Sequence, residues 1–435
     1  MIALSVLIDI GAESRFFLQV LTCKALGSLD APYKIKPVAK VLCLTERFVR
    51  DASRELVKAG LLRESKQEGG AGRPGIEYLA SEYLLNVLRE VGIEFTHQEL
   101  MLRLFTEPGI YAIGDGATEL STDPAVNTSR AATRKDGRPA APGAKGRLGA
   151  ATRILLAALL SEADHCGVVA GLGESRLRRM TGLDSLSIKH QLKRLVSLGF
   201  VRSYAPGLSN GVFVGSKVAS IYYLNLDHPQ LRIKQRERGL VVYATEGPAK
   251  YDMLEAAMPT REALKELMPE PGQKPWVLDM LYHKLASHTS QLLTAIWADP
   301  ECELTDVKAA IFERIASELG GPMTVSPDQG VCGPWDGLKE SFYAEVCRWA
   351  ESIHKGLRRM KVWQGYKPHL VRLIPAPGSS DSFSVVSLVV YPAPRTSSIC
   401  IWVWDIRGGR VDSYVREDAL DLALRYEVAL LTKAT

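Results

Sequence analysis

The sequence predicts an α+β chain in which a unit of three helices and a β-hairpin occurs twice and is followed by a larger α+β domain with an antiparallel β-meander. Three observations carry this. The chain has 435 residues, about three domains' worth at roughly 150 residues each. Leu44, Val49, Leu56, Val57, Gly60 and Arg63 recur at an offset of 139 as Leu183, Ile188, Leu195, Val196, Gly199 and Arg202, which marks an internal repeat. Beyond residue 260 the apolar residues first follow a helical spacing and later alternate, the change expected where helices give way to strands.

In the first copy, Glu13–Leu26 reads as an amphipathic helix. Pro37–Leu42 is a short helix that begins with proline, tolerated there because the first-turn N–H has no intrahelical partner. Thr45 is the expected N-cap of a longer helix running to Ala59, and Asp184 holds the equivalent cap position in the second copy. Phe48, Val49, Ala52 and Leu56 recur every three or four residues, so one helix face is core and the other is left to solvent. Upstream, Val38 and Val41 are answered by Leu177 and Met180. Gly60 and Gly199 end the long helices as left-handed residues would. Two strands then enclose a Gly-rich loop in each copy: Leu61–Arg63 and Ile76–Ala80 around Gly69–Gly75, and Phe200–Tyr204 and Val218–Leu224 around Gly207–Gly215.

Pro/Gly-rich punctuation near Pro108–Lys145, Gly239–Pro248, Pro269–Pro275 and Pro322–Pro334 divides the chain. The expected domains are a first unit at 1–108, a second at 148–240 and a C-terminal domain at 250–435, with a basic linker at 109–147. Between Ala112 and Gly149 no apolar periodicity is present, and burial there would not offset the chain entropy of ordering, so the linker is expected to be flexible. The C-terminal domain divides into a helical part, 260–360, and a meander with a final helix, 369–433. Its helices are expected at Arg261–Leu267, Trp276–Trp297, Leu304–Leu319 and Trp335–Met360, its strands at Leu370–Ile374, Phe383–Tyr391, Ile399–Ile406 and Arg410–Tyr414, and its last helix at Glu417–Leu431. Gly408-Gly409 is a hairpin turn signal.

Composition narrows the function. With 46% hydrophobic and 24% charged residues and a mean hydropathy of −0.02, collagen-like, fully disordered and coiled-coil classes are excluded. No stretch approaches about 18 uninterrupted apolar residues and Met1–Ile10 has no basic segment, so neither a membrane span nor a secretory signal is expected. Seven scattered cysteines, none spaced as C-x-x-C, argue against a disulfide framework and against a zinc finger and suit a cytoplasmic protein. Residues 1–240 hold 33 Lys and Arg against 24 Asp and Glu, whereas 241–435 hold 21 against 25. A basic half beside an acidic half suits a chain that meets a polyanion with one part only. Phosphate-loop and H-E-x-x-H metalloprotease motifs are absent and the histidines show no ligand spacing, so no enzyme activity, cofactor or metal is expected. The surviving catalytic reading is a Mg²⁺-dependent nuclease with Asp405 and Asp412 at the ends of the last hairpin.

The segments Arg54-Glu55-Leu56-Val57-Lys58-Ala59-Gly60-Leu61-Leu62 and Lys193-Arg194-Leu195-Val196-Ser197-Leu198-Gly199-Phe200-Val201 resemble the recognition-helix end and first wing strand of the winged helix-turn-helix superfamily. That superfamily occurs in bacterial transcription regulators and plasmid replication initiators. The resemblance covers roughly residues 10–85 and 148–226. It implies tandem winged helices that bind duplex DNA, each laying its long helix in the major groove and its wing against backbone or minor groove. On the first long helix Arg47, Arg50 and Arg54 form one stripe, with Thr45 and Lys58 at its ends. Guanidinium groups there can pair bidentately with guanine or with phosphate. Lys189, His190, Lys193 and Arg194 offer the comparable face in the second copy. Ammonium groups carry charge without a planar fork, so copy two is expected to lean on phosphates and copy one on bases.

Gly72-Arg73-Pro74 in the first wing and Gly137-Arg138-Pro139 in the linker resemble the AT-hook core. In that reading Arg73 and Arg138 enter a narrow minor groove; a plain turn tripeptide is the alternative. The expected whole is a cytoplasmic, nucleoid-associated transcriptional regulator that binds double-stranded DNA. Its linked units raise each other's effective concentration, and its C-terminal domain serves a homodimer, protein partner or effector. The alternatives are an origin-binding replication initiator and, from another class, a protein-interaction scaffold or the nuclease.

Overall fold

The computed structural model describes residues 10–24, 32–66, 76–90, 95–107, most of 148–246 and, in segments between 274 and 431, the C-terminal elements. The chain is α+β, with small sheets. Unit one contains α1 (Ala12–Lys24), α2 (Ile35–Leu42), α3 (Glu46–Lys58), a hairpin of β1 (Leu62–Lys66) and β2 (Ile76–Ala80), then α4 (Glu82–Glu90) and α5 (Gln98–Thr106). Unit two contains α6 (Ala150–Glu162), β3 (Val168–Leu172), α7 (Glu174–Thr181), α8 (Ser185–Ser197), β4 (Val201–Ala205) and β5 (Ser220–Leu224). The bounds of α2 and α3 map onto those of α7 and α8 at the same offset of 139 that the sequence displays.

The local chemistry that starts and stops these helices also repeats. Thr45 Oγ1 accepts the Phe48 N–H at 3.1 Å, and Asp184 Oδ1 accepts the Ser187 N–H at 2.7 Å, so each long helix has one otherwise orphan donor satisfied. Gly60 and Gly199 follow these helices at φ 73° and 76°. Both small sheets place the returning strand in the middle. In unit two the order is β3-β5-β4, and in unit one Tyr33 makes a single antiparallel bridge to Tyr78 on the open side of β2. Tyr33 is thus the one-residue counterpart of β3. The copies differ at Val41, 66% exposed, whose counterpart Met180 is 3% exposed.

The two units do not fold apart. One hydrophobic core runs from Phe16, Phe17, Leu18 and Leu56 through Leu100 and Leu104 to Leu156, Leu159 and Leu195, with α6 lying against α1 and α5. Two buried arginines cross-link it. Arg15 Nε donates to the Ile10 carbonyl at 2.8 Å, and its Nη1 donates to the carbonyls of Arg179 and Met180 in unit two. Arg153 Nε donates to the Leu148 carbonyl at 3.1 Å, and its Nη1 to the carbonyls of Leu104 and Glu107 in unit one. Each guanidinium therefore meets the carbonyl-rich end of a helix in the other unit, where positive charge is favoured. Units one and two thus share a core in addition to being joined through the linker. The segment 109–147 itself lies outside the described residues.

His97 helps to close this junction. Its Nε2 lies 2.7 Å from the Asp164 carbonyl of unit two, and its side chain is 5% exposed. Burial, the largest influence, lowers its pKa from 6.5 to about 4 against the opposing pull of that carbonyl. Between those values the unfolded chain binds the extra proton, so stability is full above 6.5 and is lost as the pH falls towards 4, by on the order of 3 kcal/mol. Urea titrations at pH 7 and at the acid end are expected to show this loss, and His97→Gln to remove most of it. An unchanged acid dependence in the variant would contradict the assignment.

The C-terminal body is built from α9 (Lys274–Ala298), α10 (Thr305–Glu318), α11 (Pro334–Arg358) and a five-stranded sheet. The strands are β6 (Gly239–Glu246), β7 (Leu370–Pro375), β8 (Phe383–Tyr391), β9 (Ile401–Val403) and β10 (Ser413–Tyr414), and α12 (Leu422–Glu427) follows them. The expected meander is not formed. The order is β10-β9-β6-β8-β7, with β6 inserted between β8 and β9 and running parallel to β9. Gly239–Pro248, expected to be a boundary, instead supplies a strand in the middle of this sheet, because Leu240, Val241 and Val242 are buried against the C-terminal core. The candidate helix Arg261–Leu267 and the Gly408-Gly409 turn lie outside the described residues. Edge strand β7 is covered by α9, whose Ser290 and Thr294 hydroxyls accept the N–H groups of Leu373 and Val371, so these donors are paired.

Unit two also docks on this body. Val212 and Phe213, from the loop between β4 and β5, are buried in the C-terminal core, and Phe213 bridges to Leu319. Arg202 donates to the Leu430 carbonyl, Arg372 pairs with Asp164 at 2.6 Å, and the Tyr223 hydroxyl meets His283 Nδ1 at 2.9 Å. Unit two is therefore the middle of a continuous molecule, held by its helices on one side and by its sheet and loop on the other.

Candidate nucleic-acid interface

The face of α3 turned away from the core carries Arg47, Arg50, Arg54 and Lys58, all exposed, while Val49, Ala52 and Leu56 are buried beneath. The helix packs on α1, α2 and β1, which leaves the arginine side to solvent. Arg47 makes a 3.6 Å ion pair with Asp51, one turn along, with both side chains largely exposed. Such a pair contributes about 0.5 kcal/mol or less, so it yields easily to a phosphate or a base. Thr45 is exposed too, and its hydroxyl is engaged in the cap.

On α8 the residues at the same register as Arg47, Arg50 and Arg54 are Leu186, Lys189 and Lys193. All three are exposed, as is His190, whose Nδ1 is 3.3 Å from Gln191 Nε2. Arg194 departs from the expected surface. It is half-buried at the flank of the helix, at the register of Glu55, which in unit one accepts bonds from Gly11 N–H and Ser14 Oγ. The helix itself contains no acidic residue, and its cap is Asp184.

Several residues of the same surface are not found by the spacing of charges along the long helices. Lys36 and Lys40 on α2 and Arg178 and Arg179 on α7 are exposed on the helices that precede the two long ones. Leu186 carries no charge, and the signal that finds it is the repeat register, which sets it opposite Arg47. In the other direction, some of the basic excess of residues 1–240 is internal: Arg15, Arg153, Arg202 and Arg238 are buried, so the charge balance overstates what a polyanion would meet.

The spacing between the two long helices is fixed through α1. A Cβ on Gly182, in the turn before α8, would lie 2.5 Å from the Ile10 carbonyl and 3.2 Å from the Ala12 nitrogen. With φ at 70°, this position needs glycine on both counts. The neighbouring Gly11 N–H donates to Glu55 of α3 at 2.6 Å. The flank of α3 and the turn leading into α8 thus meet at one helix N-terminus.

In unit two the loop that would form the wing spends Val212 and Phe213 in the C-terminal core, so this part of it does not face a minor groove. Arg73, Arg138, Asp405 and Asp412 lie outside the described residues. Among the described residues no cluster of His, Cys, Asp and Glu is arranged to hold a metal ion, and no helix is long and apolar enough to cross a membrane. No protein-family model matches the chain, and no curated protein or solved structure is detectably similar to it.

Proposed function

We propose that the chain is a double-stranded-DNA-binding transcriptional regulator that reads DNA with α3 and α8, each the long helix of a winged helix-turn-helix unit. One observation carries the reading. Two helices related by the 139-residue repeat both turn basic residues outward at the same register, and both are fixed to a single core. A phosphate backbone is the partner that rewards such stripes, and an exposed helix is the element that fits a major groove. The preceding helices add exposed Lys40 and Arg179 at matching positions, suited to flanking phosphates. The C-terminal body, fused to unit two, serves a partner, an effector or a second copy.

DNase footprinting of the full chain on genomic fragments tests the reading. A protected operator at a promoter is the expected result. Protection confined to repeated sites that support replication would replace the regulator with an origin-binding initiator, and absence of any protection would favour a protein-interaction scaffold.

A further inference from the structure

We infer that unit two recognises a thymine 5-methyl group through Leu186, so that the chain's target is an asymmetric site whose two halves are read by different chemistry. The inference rests on the proposed DNA-binding role of α3 and α8 and says what one of them reads. Leu186 is 78% exposed, an unusual setting for a leucine near the start of a helix whose other apolar residues, Ile188, Leu192, Leu195 and Val196, are buried. It belongs to the outer stripe, aligned with Lys189 and Lys193 as Arg47 is aligned with Arg50 and Arg54. At the first position of that stripe the repeat has therefore exchanged a five-donor guanidinium for an isobutyl group. In the major groove the two suit opposite features. A guanidinium matches the O6 and N7 acceptors of guanine, whereas an apolar side chain matches the thymine methyl.

The neighbours choose the occupant. Lys189 and Lys193 follow Leu186 one and two turns along the same face, so a small apolar spot stands at the head of a row of ammonium groups. A duplex offers that complement, a methyl group on the groove floor between two phosphate strands. The first residues of a groove-bound helix are also those nearest the base edges. Since α3 and α8 are fixed to one core, the guanine-reading and thymine-reading positions are held at one spacing, and a single chain spans both.

The test begins with selection of a preferred duplex from a random-core library by the full chain. Each thymine of that duplex is then replaced singly by deoxyuridine, which removes only the methyl. One thymine is expected to matter, its replacement weakening binding about fourfold, the worth of one buried methyl. Leu186→Ala is expected to bring the thymine-to-uracil ratio at that position to about one and to leave the melting temperature unchanged, since the side chain stands in solvent. Leu186→Arg is expected to shift the preference at that position to guanine. A Leu186→Ala protein that keeps the thymine-to-uracil ratio overturns the inference, as does a selected site insensitive to every such replacement. In both of those outcomes the DNA-binding role of the two helices stands. A chain that selects no duplex at all overturns the inference and the proposed function together.

Discussion

Alanine at Arg47, Arg50 and Arg54 together is expected to weaken binding to the selected duplex by a hundredfold or more while leaving the fold intact. Each bidentate arginine–guanine pair contributes about 1–3 kcal/mol of discrimination, and a factor of ten requires only about 1.4. Against this, the fold would forgo the exposed Arg47–Asp51 pair, and exposed pairs contribute little. Lys189→Ala with Lys193→Ala is expected to behave differently, lowering affinity for all sequences alike and reducing the salt slope by about 0.9 for each phosphate no longer neutralised. Anisotropy titrations on specific and random duplexes separate the two patterns. A fall in melting temperature comparable with the loss of affinity would instead make the arginine stripe structural.

Arg153→Met and Arg15→Met are each expected to destabilise the chain by roughly 3 kcal/mol. Either change removes a buried guanidinium and leaves three carbonyls without it: Leu148, Leu104 and Glu107 in the first case, Ile10, Arg179 and Met180 in the second. Arg153 also lies 5.8 Å from the centre of the Phe16 ring, a cation–π contact across the same junction. Methionine fills similar volume, so the expected loss is of charge-assisted hydrogen bonds rather than of packing. Chemical denaturation followed by circular dichroism measures it. Independent units would leave either change felt by its own unit alone and would unfold in two steps. A shared core requires units one and two to lose stability together in one transition.

The repeat made much of this legible in the sequence. Recurrence at a fixed offset located both long helices, their Thr45 and Asp184 caps and their terminal glycines, because these depend on neighbours within a few residues. What the sequence concealed were interactions between residues far apart. Arg15 and Arg153 look like surface charges until Met180 and Leu104 are brought to them. Val212 and Phe213 sit in a Gly-rich loop, and only the C-terminal body gives them a core to enter. The strand at Gly239–Glu246 is flanked by turn-forming residues, and its place between β8 and β9 is decided by segments more than a hundred residues later. Within the candidate interface the exposed charges of the long helices were legible from spacing, those of the preceding helices at Lys36, Lys40, Arg178 and Arg179 were not, and Arg194 was misplaced because its half-buried flank depends on packing that the spacing does not encode. Leu186 required a different kind of comparison, of one copy with the other.

The most direct test is the affinity of the full chain for a short random-sequence duplex, measured by fluorescence anisotropy over a series of salt concentrations. Outward-turned basic helices on one shared core should bind it strongly at low salt, with the logarithm of affinity falling linearly as the logarithm of salt rises. If no binding appears even at the lowest salt, where release of condensed counterions favours it most, α3 and α8 do not meet a duplex.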